Sequence, residues 1–313
     1  MTDPEFKHIA IIGIGLLGSS IAHAVKAYGG ASKVSMWDVS DKVRKCAAQV
    51  VPGQVCETAV EAVTGADCVF LCTPVGVLQE VTAEIADALA DGAVLTDVGS
   101  VKAKAAADMA AACPAHVHLI PGHPIAGTEK SGPEAGFASL FQDAWHILTP
   151  LKAESEPYAD AVQRLSAFWM RLGARVETMD VDRHDRVLAI TSHLPHLIAY
   201  NIVSTAYDME SVEKGEVVKY SAGGFRDFTR IAASDPTMWR DVFLTNKDAV
   251  LATRGRVSED LAALQRAIRW GDGETLMQEF SRARGIRKAI IDAGLDTAEA
   301  DFGRRQIDPD PEE

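Results

Sequence analysis

The stretch KHIAIIGIGLLGSS, Lys7 to Ser20, decides the fold. Lys7 to Ile12 is a short apolar run that suits a strand buried on both faces, and Leu16 to Tyr28 (LLGSSIAHAVKAY) has the character of a helix. Gly13, Gly15 and Gly18 lie at the junction. In a strand-turn-helix of this kind the first glycine permits the tight turn and the second lets the backbone approach a pyrophosphate. The third allows the helix to pack closely on the strand. The helix start, with Leu16, Leu17 and Gly18 presenting unpaired N–H groups, then attracts phosphate. Glycines also mark ordinary turns, so the pattern needs its context.

That context follows. Lys33 to Trp37 reads as a second strand ending at Asp38, about twenty residues past Gly18, where a carboxylate receives an adenosine ribose hydroxyl. A carboxylate there repels a 2′-phosphate and favours NAD over NADP. Asp38 as a mere helix cap is the alternative, and Arg44 keeps NADP open. Further buried strands are expected at Cys68–Thr73, Ala93–Thr96 and Val117–Ile120, with helical stretches between them. This alternation specifies a doubly wound parallel α/β sheet of the Rossmann type, with ligands beyond the carboxyl ends of its strands. Thr73-Pro74, Asp97-Val-Gly-Ser100 and Pro121-Gly-His123-Pro124 follow those strands, so these three loops are expected on the cofactor edge. Ala144–Leu148, Tyr158–Leu172 and Arg175–Thr178 then read as strand, helix and strand.

From Asp180 the alternation gives way to long helical stretches, so the expected division is a dinucleotide-binding domain at 1–179, a helical substrate and dimerisation domain at 180–302 and a flexible tail at 303–313. One helix is expected from Asp180 to about Tyr207 with a kink at Pro195. A second runs from Ser234-Asp-Pro236 to Trp270, and a third from Glu274 to Ala293. Helical domains of this size commonly expose an apolar face to a twin subunit, so a homodimer is expected.

Composition narrows the function. The 313 residues allow more than one domain, and 47% hydrophobic with 24% charged residues is ordinary for a globular chain. A net charge of −13 repels nucleic acid and anionic membranes, so any anionic ligand needs locally placed cations or amides. Five cysteines without paired Cys-x-x-Cys spacing suit a reducing cytoplasm. The apolar run from Ile9 to Val25 imitates a signal peptide, but Asp3 and Glu5 deny it a basic leader.

Several residues are candidates for chemistry. His123, between Gly122 and Pro124, is the first candidate base, with a structural histidine as the alternative. His193 and His196 in SHLPH have the spacing of a metal pair, but no acidic or sulfur ligand set completes it, and hydride chemistry needs no metal. Substrate hydrogen bonding or a core role remains for them. In the expected glycine-bearing loop Gly223-Gly-Phe-Arg226-Asp-Phe-Thr-Arg230 the arginine forks suit a carboxylate, with a plain salt bridge as the alternative. Glu129, Lys130 and Lys102 read equally well as solvated turn residues.

GIGLLGS at 13–19, DVGSVK at 97–102, GHPIAGTEKSG at 122–132, SHLPH at 192–196 and GGFRDFTRIAASDPTMW at 223–239 together resemble the prephenate/arogenate dehydrogenases of the TyrA family, over nearly the whole chain. The resemblance implies NAD-dependent oxidative decarboxylation of a cyclohexadiene, prephenate and/or L-arogenate, in tyrosine biosynthesis. By motif position it implies that His123 accepts the hydroxyl proton, Ser100 assists, and Arg230 holds the ring carboxylate. Ser192, His193, His196 and Gly223 line the substrate pocket, with Thr128 and Glu129 at its mouth and Trp239 arriving from a partner subunit. No fused segment is expected before Lys7 or after Leu295. The rivals are another dehydrogenase of Rossmann-plus-helical build, such as one acting on β-hydroxyacids, and a non-catalytic dinucleotide sensor.

Overall fold

The computed structural model describes residues 3–128, 130–151, 155–210 and 223–292. Glu129, the end of the third long helix past Asp292 and the expected tail lie outside these residues.

The first half alternates strand and helix: β1 (Phe6–Ile12), α1 (Leu16–Tyr28), β2 (Ala31–Trp37), α2 (Asp41–Val50), β3 (Gln54–Val55), α3 (Ala59–Val63), β4 (Cys68–Leu71), α4 (Leu78–Ile85), β5 (Val94–Asp97), α5 (Ala103–Ala112) and β6 (His118–Leu119). The six strands form one parallel sheet in the order β3-β2-β1-β4-β5-β6, the doubly wound order expected. The order reverses between β1 and β4, so a crevice opens where their carboxyl ends diverge. β1 is buried along nearly its whole length, which explains why its sequence reads as a continuous apolar run instead of an alternating one.

A second, three-stranded sheet follows, built from β7 (Gly122–Pro124), β8 (Trp145–Leu148) and β9 (Arg175–Thr178), with β7 antiparallel to β8 and β8 parallel to β9. The expected loop at 121–124 is therefore corrected: its centre is a strand, and His123 is paired in register with Ile147. Between β8 and β9 runs α6 (Glu156–Arg171), which buries Phe168 and Trp169 completely. Phe168 meets Phe70 at 5.2 Å, and Trp169 meets Phe141 at 5.1 Å and stacks on His146 at 3.9 Å. This aromatic group ties the helix to β4 and to the second sheet. Truncating one such ring to alanine costs about 3–5 kcal/mol.

Beyond Thr178 come α7 (Val181–Leu188), a π-helical turn (Ala189–His193), α8 (Leu194–Glu210), α9 (Gly223–Thr229), a 3-10 turn (Arg230–Ala233), α10 (Pro236–Thr245), α11 (Lys247–Trp270) and α12 (Gly273–Asp292). Asp180 caps α7 by accepting the amides of Asp182 and Arg183, and Asp235 caps α10 through Met238, with Pro236 in the first turn. Three expectations are corrected. Just before Pro195, which has no N–H to donate, stands a π turn. The glycine-bearing segment 223–230 is helical rather than a loop. The helix from Pro236 breaks at Asn246, whose side chain is drawn away to Asp185 and His193.

Two compact units emerge, Met1–Thr253 and Arg254–Glu313. Helices α7 to α10 belong to the first, where Val101 packs with Trp239 and Val242. The run Val181–Met209 is long and apolar enough to cross a membrane by length and composition. It nevertheless carries His184, Asp185 and His193 buried in polar contacts with other parts of the first unit, which places it among the packed helices of that unit.

Candidate active site

The glycine turn shows why each glycine is required. Gly13 has φ +98°, and a Cβ there would lie 2.6 Å from the Cys72 carbonyl oxygen; one on Gly18 would lie 2.1 Å from the Gly13 carbonyl oxygen. A Cβ on Gly15 would meet no protein atom within 4 Å, so this position faces open space in front of α1. The helix start has no side-chain cap, and its first backbone bond is from Ser19 N–H to the Gly15 carbonyl at 3.0 Å. The N–H groups of Leu16, Leu17 and Gly18 are left to a ligand.

Asp38 stands at the end of β2, accepting the Ile14 amide at 2.9 Å and the Ser40 amide at 2.9 Å. The cap of α2 is Ser40, which accepts from Val43 at 3.3 Å, so the capping alternative for Asp38 falls away. Arg44 donates to the carbonyls of Asp38 (2.7 Å) and Val39 (3.3 Å) and also contacts Asp41. Past β4, the buried Thr73 hydroxyl has no hydrogen-bond partner among the described residues, and Pro74 follows it at the surface. An open glycine, three free amides, an orphaned hydroxyl and a carboxylate at these positions fit a dinucleotide.

Behind the crevice lies a fully buried ion pair. Lys102 Nζ is 2.5 Å from Asp97 Oδ2 and donates to the Gly122 carbonyl at 2.6 Å, while Asp97 accepts the amides of Gly99 and Gly122. Lys102 is thus no solvated turn residue. Burial lowers its ammonium pKa and Asp97 opposes the shift. The pair fastens β7, and so His123, to the end of β5.

His123 is buried, and its Nδ1 lies 2.9 Å from His184 Nε2. His184 Nδ1 lies 2.8 Å from Asp185 Oδ1, and Asp185 also accepts the amides of Lys102 (2.8 Å) and Ala103 (2.9 Å). Burial, then the neighbouring His184, Lys102, His146 and His193, push His123 well below the ordinary histidine value, so its imidazole is neutral. Its Nε2 makes no hydrogen bond among the described residues.

Next to it stand the SHLPH histidines. Burial brings His193 down to about 4 despite Asp185, and its Nδ1 faces the Asn246 amide nitrogen at 3.0 Å. The amide can only donate there, so the proton of neutral His193 sits on Nε2, which is buried without a hydrogen bond among the described residues. His196 donates from Nδ1 to the Ser192 carbonyl at 2.8 Å and stacks on Trp239 at 3.7 Å. Burial, and to a smaller degree the charge of Arg230, lower His196, which places Arg230 beside it. Ser100 is half-buried, with its backbone facing His193.

The structure therefore joins His123, Ser100, His193, His196, Trp239 and Arg230, all within the first unit. Trp239 stacks on His196 within the same chain. Thr128 is exposed and accepts the Lys130 amide, and Gly223 opens α9; no contact among the described residues ties either to the histidines. Missed from sequence were His184, Asp185 and Asn246. The adjacent His and Asp at the start of an amphipathic helix were a faint signal, and nothing in spacing connects residue 185 with 102 or 123. Among the described residues no group of three or more His, Cys, Asp or Glu side chains could hold a metal.

A Rossmann unit whose dinucleotide edge meets a buried neutral histidine and a histidine-arginine cluster from packed helices defines a nicotinamide-dependent dehydrogenase. The family description "Prephenate dehydrogenase, nucleotide-binding domain" matches residues 21–178, and "Prephenate dehydrogenase, dimerization domain" matches 180–282. The chain belongs to the prephenate dehydrogenase family. It is 42% identical to the cyclohexadienyl dehydrogenase of Zymomonas mobilis over 91% of this chain and 96% of that one. It is 32% identical to the prephenate dehydrogenase of Bacillus subtilis over 90% and 76%. Among solved structures, prephenate dehydrogenase from Aquifex aeolicus in complex with hydroxyphenyl propionate and NAD+ superposes with a TM-score of 0.82 at 33% identity, covering 91% of this chain and 98% of that one.

Proposed function

We propose that this chain oxidatively decarboxylates prephenate and/or L-arogenate with NAD, yielding 4-hydroxyphenylpyruvate and/or L-tyrosine. The observation that carries the reading is His123: neutral, fastened through Nδ1 and the β7 backbone, with Nε2 left for a substrate hydroxyl at the cofactor edge. When bound, NAD supplies the acceptor for the hydride that leaves the ring carbinol carbon. His123 Nε2 takes the hydroxyl proton as the carbinol is oxidised, with Ser100 assisting. Arg230 orients the ring carboxylate, which departs as CO2 while its bonding electrons complete the aromatic ring and the ring oxygen takes its proton back from His123 Nε2. Aromatisation drives the reaction.

Around the substrate, Ser192, His193, His196, Gly223 and Trp239 form the wall, with Thr128 and Glu129 at the mouth. His193, its Nε2 proton unpaired, donates to a substrate oxygen. The dinucleotide rests on Gly13, Gly15, Leu16, Leu17, Gly18, Thr73, Pro74 and Ser100, with Asp38 on its ribose. The functional boundary falls at 179, between the dinucleotide-binding part and a helical part that forms a homodimer in the cytoplasm. Support for the dimer comes from exposed Leu261, Ile268, Trp270, Met277, Phe280 and Ile286 on α11 and α12. The deciding experiment follows NADH formation at 340 nm with prephenate and arogenate side by side. Turnover of either supports the reading, their ratio sets the side-chain preference, and inertness toward both removes it.

A further inference from the structure

The contacts of Asp185 carry a consequence for the base. Its carboxylate receives three donors: the amides of Lys102 and Ala103 at the start of α5, and His184 Nδ1. Burial works against its ionisation, but the bond from His184 and the two amides outweigh it and hold the carboxyl below the usual range. An ionised carboxylate can only accept. His184, kept neutral by its own burial, must therefore carry its proton on Nδ1 and offer a lone pair at Nε2. His123 Nδ1, 2.9 Å away, must then carry the proton, which leaves the lone pair of His123 on Nε2.

We infer that Asp185 and His184 form a buried tautomer relay that fixes His123 as a base, proton on Nδ1 and lone pair on Nε2. Both are positioning residues, acting only through His123. The inference rests on the proposed role of His123 as proton acceptor. In the reaction the substrate O–H bond breaks and the Nε2–H bond forms. The resulting imidazolium donates to His184, which donates to the anionic Asp185. The relay thus selects the tautomer before the reaction and faces the new cation with a carboxylate two bonds away. The groups around His123 are His184 and Asp185 on α7, Lys102 and Asp97 beside β5, His146 on β8 and His193 in the π turn. Asp185 is the anion linked to His123 by hydrogen bonds, whereas Asp97 is spent on Lys102.

Asp185→Asn tests this directly. His184 Nδ1 shares Asp185 Oδ1 with the Lys102 amide, while Oδ2 takes the Ala103 amide, so the asparagine keeps its oxygen for Ala103, gives up the Lys102 amide and offers an N–H to His184 Nδ1. His184 then carries its proton on Nε2, and His123 must accept at Nδ1, leaving a proton on the nitrogen that should act as base. A reversal of this kind in a Ser-His-Asp triad lowers kcat by about 10⁴-fold. The expected result here is a fall in kcat of about 10²- to 10⁴-fold with prephenate and NAD, with KM for prephenate and Kd for NAD within about threefold of the parent. Long-range ¹H–¹⁵N spectra of the imidazoles are expected to show His123 protonated at Nδ1 in the parent and at Nε2 in Asp185→Asn.

His184→Gln and His184→Phe form a second pair, independent of the fold of Asp185→Asn. Glutamine retains an acceptor for His123 Nδ1–H and is expected to exceed the phenylalanine variant in kcat by tenfold or more, roughly the worth of one hydrogen bond to a charged imidazolium. His123→Asn separates the two levels of the argument. If it loses turnover while Asp185→Asn keeps parent kcat and His184→Gln equals His184→Phe, the relay is overturned and the base stands. Parent turnover in His123→Asn overturns both. An Nε2-protonated His123 in the parent spectrum overturns the relay whatever the rates.

Discussion

His123 is where the chemistry is most exposed to test. Asparagine in its place keeps a polar side chain on β7 but cannot hold the proton, so His123→Asn is expected to lower kcat by about 10²- to 10⁴-fold with NAD affinity retained. Isothermal titration with NAD beside steady-state assays measures both, and unchanged turnover removes His123 from the reaction. Arg230→Gln is expected to raise KM for the substrate by roughly 10- to 100-fold with a smaller effect on kcat, because the lost contact is a charge-assisted bond to a carboxylate that is present before and during reaction. An unchanged KM returns Arg230 to a structural role. At Asp38, whose carboxylate sits against the turn through the Ile14 amide, NAD is expected to exceed NADP by about 10²-fold in kcat/KM, and Asp38→Asn to shrink that ratio. Equal rates with both cofactors in the parent refute the assignment. The residues named in these tests were legible because each stands inside a short motif. The roles of those that hold them were not: Asp97 and Lys102 fasten β7, while His184 and Asn246 contact histidines 61 and 53 positions away. Contacts of that reach depend on which elements pack together, and sequence spacing does not carry them.

At the scale of elements, the glycine turn makes a prediction in which folding and binding separate. Gly18→Ala drives a methyl to 2.1 Å from a backbone oxygen that cannot rotate away, so the turn itself must move. Overpacking of this sort costs about 1–3 kcal/mol, which lowers Tm by several degrees. Gly15→Ala meets no protein atom and has an ordinary φ of −82°, so Tm is expected to hold, whereas Kd for NAD rises by about tenfold or more because the methyl occupies the space left for phosphate. Calorimetry with and without NAD reads both. Equal Tm losses in the two variants count against the division of roles. The strands of the first sheet were legible because burial on both faces writes continuous apolar runs. Less legible were the points where a polar contact overrides periodicity. Asn246 interrupts an apolar helical pattern to reach Asp185 and His193, and Pro195 is preceded by a π turn where a kink was expected.

Across the whole molecule, the sequence carried the parallel sheet and the later run of helices, but not that α7 to α10 join the compact unit of the sheet. That union rests on buried polar and apolar contacts, Lys102 with Asp185 and Val101 with Trp239, between segments far apart in the chain. It also leaves many histidines out of water, and stability inherits a pH dependence. His8, His23, His123, His146, His184, His193 and His196 are all shifted downward, each chiefly by burial. Below the ordinary value of 6.5 the unfolded chain binds more protons than the folded one. Folding stability is therefore fully present above about pH 6.5 and is lost as pH falls through the folded values. For His193, the gap between about 4 and 6.5 corresponds to about 3 kcal/mol at the acid end of the window. The net charge of −13 pulls in the opposite direction, since protonation relieves self-repulsion in the compact state. A decline on acidification thus isolates the buried histidines from the overall charge. Urea unfolding followed by tryptophan fluorescence, without NAD, is expected to give equal stability at pH 8 and 7 and a progressive loss at pH 6 and 5. Stability that stays level or rises down to pH 5 would show that these imidazoles reach water when protonated, and that the helices hold the sheet less tightly than their contacts imply.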